Sequence, residues 1–246
     1  MTQQSLNSQS GTAHLALLSG LLCDDFMWQA VVPKLQPPVQ VKTFSFAGFH
    51  SLTEMAAHVL HNMPTHFSLV GHSMGGRVAI EMYRQAPDRI THLGLLNTGA
   101  HPCRESEVVG RQHLLDLARD KGMAAVVDEW LPPMMSARGI EDKNLMRALA
   151  EMVLRHSVSD FSGEIQALLK RPNAESTLPN IAVPTLLLSG SEDNWSPLGQ
   201  HRDMQSLLSD SARADSLLIE LAGVGHMSPV EAPDQIAEAI GELLSR

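Results

Sequence analysis

The run Gly71-His72-Ser73-Met74-Gly75 carries the most pointed chemistry in this chain. It follows a short apolar stretch, Phe67 to Val70, and precedes an amphipathic stretch from Gly76 to about Gln85. A serine in the middle of G-x-S-x-G, between a strand and a helix, sits on a sharp turn that exposes its hydroxyl. Gly71 and Gly75 suit such a turn, because side chains there collide with its other arm. The helix that follows adds its positive end, which favours negative charge developing beside the serine. The chemistry expected of Ser73 is nucleophilic acyl transfer, and a free hydroxyl performs it only with a base within hydrogen-bond reach.

Other reactive residue types are arranged less suggestively. His58, His61 and His66 give H-x2-H-x4-H across a helix end, with no Cys and no acidic partner at ligand spacing. They read as a solvated helix face, and no metal is expected. The chain has no H-E-x-x-H, P-loop or G-x-G-x-x-G pattern, and no cofactor is expected. Cys23 and Cys103 are the only cysteines, too few for a disulfide framework, which fits a reducing compartment. The net charge of −9 argues against nucleic acid and anionic lipid surfaces as partners. Ala13 to Leu22 is apolar, but no basic residue precedes it and it is too short to span a bilayer. A cytoplasmic protein without membrane association is expected, with Met1 to Thr12 a polar, frayed lead-in.

The elements that must position Ser73 alternate between strand and helix. His14 to Ser19, Val39 to Phe46, Phe67 to Val70, His92 to Leu96, Pro184 to Leu188 and Ser216 to Leu221 read as strands. Asp24 to Gln36 reads as a helix, with Phe26, Met27, Ala30, Val31 and Leu35 at helical spacing. Ser51 and Glu54 form a capping box that opens a helix carrying Met55, Ala56, Val59, Leu60 and Met63. Ser196-Pro197 reads as cap and first position of another helix, and the last helix runs from about Pro233. Such alternation predicts an α/β fold with a mostly parallel sheet and right-handed crossovers. Its strands look apolar enough to be covered on both faces.

The alternation breaks from about His101 to Asn180, where helical patterns occur at Val108 to Leu117, Met123 to Leu131, Asn144 to Leu154 and Phe161 to Leu169. For a chain of 246 residues this suggests one domain with an insertion. The expectation is a core of residues 1–100 and 181–246 with a helical cap of residues 101–180.

From about Ala13 to its end the chain resembles the α/β-hydrolase superfamily. It is similar to the small-cap serine hydrolases that include pimeloyl-carrier-protein methyl esterases and meta-cleavage product hydrolases. That family places an acid after a later strand and a histidine after the last one. The resemblance therefore implies Asp193, in Gly190-Ser191-Glu192-Asp193, and His226, in Gly223-Val224-Gly225-His226-Met227. In that reading His226 takes and returns the Ser73 proton, and Asp193 fixes the imidazole tautomer. Glu192 is the rival acid. Some relatives draw the acid from the strand nearest Asn97, an uncharged amide here.

The family's oxyanion hole implies the backbone N–H groups of Met74 and Leu21. Ser19 stands where the family usually has histidine, so the residue that normally braces this loop has changed. The family's opening antiparallel hairpin also lacks room, so about six strands are expected.

Leu22, Trp130, Met134 and Trp195 are candidates for the substrate pocket. Met123, Leu131, Met135, Met146 and Met152 suggest an apolar ceiling, and Cys23 reads mainly as a small packing residue. Arg104, Arg138 and Arg155 are candidates for meeting an acidic substrate group. The resemblance implies hydrolysis of a small carboxylic ester, thioester or lactone through an acyl-enzyme. Carbon–carbon bond hydrolysis of the meta-cleavage type, and a non-turnover ligand receptor on the same fold, stay open as alternatives. The nucleophile type disfavours a dehalogenase, which uses Asp. The partner expected is a small ester-like molecule, and the oligomeric state is not assigned.

Overall fold

The structure, a computed structural model, describes residues 13–246. The lead-in expected over Met1 to Thr12 lies outside the described residues. Six strands form one sheet: β1 (His14–Leu18), β2 (Gln40–Phe44), β3 (Phe67–His72), β4 (Ile90–Leu96), β5 (Thr185–Gly190) and β6 (Ser216–Leu221). All neighbours pair parallel in the order β2-β1-β3-β4-β5-β6. Every residue of β3 and β5 is buried, as helices on both faces require. The edge strand β2 alternates apolar and polar residues, as its sequence does. Gln40 and Lys42 are exposed, which discourages pairing with another chain.

From β1 the chain moves outward to β2, then crosses to β3 on the other side. The order therefore reverses between β1 and β3. Loops leaving the carboxyl ends of strands part at such a switch point and leave a crevice there. The loops after β1 (Ser19, Gly20, Leu21) and β3 (Ser73) flank it.

The helices are α1 (Leu52–Asn62), α2 (Met74–Gln85), α3 (Glu105–Lys121), α4 (Met123–Trp130), α5 (Ala137–Glu141), α6 (Lys143–Leu154), α7 (Val158–Leu169), α8 (Leu198–Leu207), α9 (Asp210–Ala214), α10 (Ser228–Glu231) and α11 (Pro233–Leu244). Helices α3 to α7 form the run between β4 and β5, and pack on one another through α3–α4, α3–α7 and α4–α6. Among the described residues no helix is long and apolar enough to cross a membrane.

Local details differ from the sequence reading. Asp24 to Gln36 is not one helix but two 3-10 turns, Asp25–Trp28 and Val32–Lys34. Pro33 lacks an N–H, and its ring opposes the carbonyl one helical turn back, so the apolar spacing cannot be realised as an α-helix. Helix α1 starts where expected, but Ser51 makes no side-chain cap bond. The helix is held by burying Leu52, Met55, Ala56, Val59 and Leu60. Helix α8 begins at Leu198 with Pro197 as its cap, one residue later than expected, while the Ser196 N–H donates to Asp193 Oδ1 and its carbonyl accepts from Ser189. The five-residue helix α5 was not anticipated; Ser136 caps it by accepting from the Gly139 N–H at 3.0 Å.

Candidate active site

Ser73 occupies the single residue between β3 and α2, at φ +54° and ψ −117°. A non-glycine residue there is strained, and the surroundings must over-determine it. Ser73 N–H donates to Leu96 O at 2.9 Å, Thr98 Oγ1 donates to Ser73 O at 2.7 Å, and Gly76 N–H donates to the same carbonyl at 3.0 Å. A Cβ on Gly71 would strike the carbonyl of Gly75, and one on Gly75 would strike the carbonyl of Leu18. Glycine at both positions lets β1, β3 and α2 close on one another.

His226 follows β6 in a loop tied to the helical run, with its N–H donating to Met134 O at 2.8 Å. Its Nε2 lies 2.9 Å from Ser73 Oγ. Its Nδ1 faces Asp193, 3.0 Å from Oδ2 and 3.1 Å from Oδ1. The Asp193 carboxylate also accepts from Trp195 N–H at 2.8 Å, Ser196 N–H at 3.0 Å and Asn97 Nδ2 at 2.9 Å. Burial works to raise its pKa, but the His226 charge and these hydrogen bonds prevail and hold it well below the usual carboxylate range. The three side chains named from the sequence thus meet above the carboxyl ends of the strands. Glu192 is directed away; its Oε2 accepts from Ala137 N–H at 2.7 Å.

Several supporting residues escaped the sequence reading. Asn97, weighed only as the site of a missing acid, donates to Asp193, and its own Oδ1 accepts from Ser228 Oγ at 2.5 Å. His72 Nε2 lies 2.8 Å from His226 O. A carbonyl only accepts, so Nε2 carries the proton. Burial, then the charge of His226, pushes the His72 pKa down to about 3, so it stays neutral and holds the His226 backbone. Glu231 ties the same loop to the helical run, accepting from Gly225 N–H at 3.1 Å and Ser136 N–H at 3.0 Å.

Ser19 braces the loop after β1. Ser19 Oγ accepts from Trp28 Nε1 at 3.1 Å and donates to Asp24 O at 3.1 Å. Its N–H donates to Phe44 O at 2.9 Å. A small hydroxyl and an indole thus hold this loop. Among the described residues neither the Leu21 nor the Met74 N–H has an acceptor, so both remain free to receive one. Leu22 is a correction: it is fully buried, does not line the cavity, and donates its N–H to Glu164 Oε2 at 2.9 Å. Its φ of +56° turns the chain into the core directly after Leu21.

Ser73 and His226 open onto a cavity of about 480 Å³, a volume suited to a small molecule. Leu21, Met74, Trp130, Met134 and Trp195 also line it, as does Arg104. Arg155 instead pairs with Asp24 at 2.7 Å, and Arg138 lies off the cavity. Met123, Leu131, Met135, Met146 and Met152 pack within or against the apolar core without lining it. Cys23 is likewise buried off the cavity. Among the described residues, no group of three or more His, Cys, Asp or Glu side chains is arranged to hold a metal ion.

Comparisons with known proteins bear on the family and the fold. The model of the "Alpha/beta hydrolase family" matches residues 15–239. A pimeloyl-[acyl-carrier protein] methyl ester esterase of Yersinia pseudotuberculosis is 24% identical over 252 residues, covering 94% of this chain and 92% of the relative. The enol-lactonase of Burkholderia xenovorans superposes with a TM-score of 0.86 at 21% identity, covering 97% of this chain and 94% of that one. A thermophilic esterase of Thermogutta terrifontis gives 0.83 at 23% identity, covering 96% and 90%. At these identities the structural likenesses speak for the fold.

Proposed function

The chain belongs to the alpha/beta hydrolase family, and within it we propose a serine esterase that cleaves a small carboxylic ester through an acyl-enzyme on Ser73. One observation carries the reading: Ser73 Oγ lies 2.9 Å from His226 Nε2 while His226 Nδ1 faces the Asp193 carboxylate. Chemically such a chain of contacts does one thing well. His226 Nε2 accepts the Ser73 proton as Oγ attacks the carbonyl carbon. Asp193 keeps the Nδ1 proton in place and stabilises the imidazolium without taking that proton. The carbonyl oxygen becomes an oxyanion held by the Leu21 and Met74 N–H groups. As the C–O bond breaks, the imidazolium gives its proton to the leaving alkoxide, and the acyl group stays on Ser73. A water molecule then repeats the sequence, giving its proton to His226 and its oxygen to the acyl carbon, and Ser73 is regenerated.

In this reading the inserted segment, residues 101–180, is a cap that roofs the cavity, with Trp130 and Met134 on its underside and Trp195 at the rim. The names of the relatives support an ester-like bond as the target: a methyl ester in one, an enol-lactone in another. The test is a p-nitrophenyl ester panel, acetate to octanoate, on the wild type and Ser73→Ala. Turnover by the wild type that vanishes in Ser73→Ala is expected. Turnover that survives the substitution rejects the assignment.

A further inference from the structure

Three arginines, Arg77, Arg104 and Arg111, line the cavity, and the basic groups around it are unequally employed. Arg171 is fully committed. Its Nε donates to His101 O at 3.2 Å, one terminal nitrogen to Leu168 O at 2.8 Å, and the other to Pro102 O at 3.0 Å and Glu107 Oε1 at 2.6 Å. With a side chain only 1% exposed, it is the anchor that fixes residues 101–107.

Arg77 and Arg111 differ. Both line the cavity. Arg77 makes two contacts, both to His101: a terminal nitrogen to its carbonyl at 3.0 Å and the other to its ring Nε2 at 3.2 Å. Arg111 reaches Glu107 Oε2 only at 3.5 Å, and its Nε is buried with no partner among the described residues. With only that long contact, the terminal nitrogens of Arg111 keep donor capacity for an anion in the cavity.

The charge count points the same way. Three guanidinium groups, Arg77, Arg111 and Arg171, surround one carboxylate, Glu107, which already bridges Arg171 and Arg111. Glu129, the other acid on the cavity wall, is occupied by His113 at 2.6 Å. Burial, then the charge of Arg171, pushes Arg77 down to about 9. Arg77 also lies four residues after Ser73, in the first turn of α2, and both line the cavity. Leu114, Ile165 and Leu168 add apolar surface to the same cavity. Such a setting suits a flat monoanion that a guanidinium grips edge-on, and charges a higher desolvation cost to a dianion.

We propose that Arg111 and Arg77 form a carboxylate-binding subsite, so that the preferred substrate is an ester carrying a second, non-reacting carboxylate. The proposal rests on the esterase reading for the word ester, but the subsite is testable without turnover. Ser73→Ala, which cannot form the acyl-enzyme, is titrated calorimetrically with three probes of similar length. Monoethyl adipate carries its charge on the acyl side, 6-acetoxyhexanoate carries it on the alcohol side, and ethyl hexanoate is uncharged. At least one charged probe is expected to bind about 10- to 100-fold more tightly than the uncharged one, the range of one or two charge-assisted hydrogen bonds.

Adding Arg111→Gln is expected to remove at least tenfold of that preference, and Arg111→Lys to retain part of it. Arg77→Gln is the second variant, and melting curves confirm that each protein is folded. Equal binding of all three probes overturns the proposal, as does a preference that survives Arg111→Gln. Tighter binding of pentyl phosphate than of both carboxylates overturns the carboxylate assignment. A charge preference in a protein that hydrolyses no ester would leave the subsite standing and reject the esterase reading, so the two failures are distinguishable.

Discussion

Asn97 Nδ2 donates to Asp193 Oδ2 at 2.9 Å across the gap between β4 and β5, so an amide orients the acid at a position where a carboxylate is an alternative. The segments that leave two adjacent parallel strands thus supply the donor and the carboxylate that it orients. The arrangement predicts a graded series. Asp193→Asn is expected to lower kcat by about 10³–10⁴ through loss of the tautomer. Asn97→Ala removes one of several donors and is expected to cost about tenfold, within the range of a hydrogen bond to a charged group. Asn97 sits at φ +48°, so that variant also melts earlier, and the rate is read well below its melting temperature. Glu192→Gln is expected to leave kcat near the wild-type value. A large loss in Glu192→Gln with little change in Asp193→Asn identifies the other carboxylate as the acid.

Ser19 predicts a separation of binding from rate. Ser19→Ala leaves the buried Trp28 Nε1 without its acceptor, a cost of about 1–3 kcal/mol in stability. The loop that carries the Leu21 N–H loosens with it. The expected kinetic result is a fall in kcat with KM nearly unchanged, smaller than the about 10²–10³ loss from removing an oxyanion donor outright. Steady-state kinetics beside a melting curve check it. A rise in KM at constant kcat would place Ser19 in substrate binding instead.

Glu164 predicts a pH dependence of stability. Burial, its largest influence, pushes its carboxyl up to about 8 from the ordinary 4.5. Between those values the folded chain holds a proton that the unfolded chain has released, so stability declines as pH rises through that window. The contribution is fully present below about pH 4.5 and lost above about pH 8. Glu164→Gln keeps an acceptor for Leu22 N–H but does not titrate. Melting temperatures from pH 5.5 to 8.5 are expected to fall less in Glu164→Gln than in the wild type. Parallel curves contradict the assignment.

What the sequence disclosed follows from the range of the interactions. The Ser73 turn is local: two glycines, an apolar strand and an amphipathic helix within about twenty residues. The alternating elements are local too, and the parallel sheet follows from them. Asp193 and His226 were reached by resemblance, since nothing in their own neighbourhoods demands catalysis. Asn97, His72 and Glu164 act on partners 96, 154 and 142 residues away, contacts that no periodicity encodes. Of the arginines singled out in the sequence, Arg104 lines the cavity while Arg138 and Arg155 do not, and Arg77 and Arg111 reach it from α2 and α3, positions that no local pattern marks. Helical spacing over Asp24 to Gln36 misled because Pro33 vetoes the helix while the same apolar residues pack through 3-10 turns.

The most direct measurement is fluorophosphonate labelling followed by intact-protein and peptide mass spectrometry, with Ser73→Ala and His226→Ala beside the wild type. One adduct per chain, mapped to Ser73, is expected. It should be absent in Ser73→Ala and form at least about 10²-fold more slowly in His226→Ala, which lacks the general base. Labelling of the wild type at another residue, or at the same rate in His226→Ala, would contradict the account.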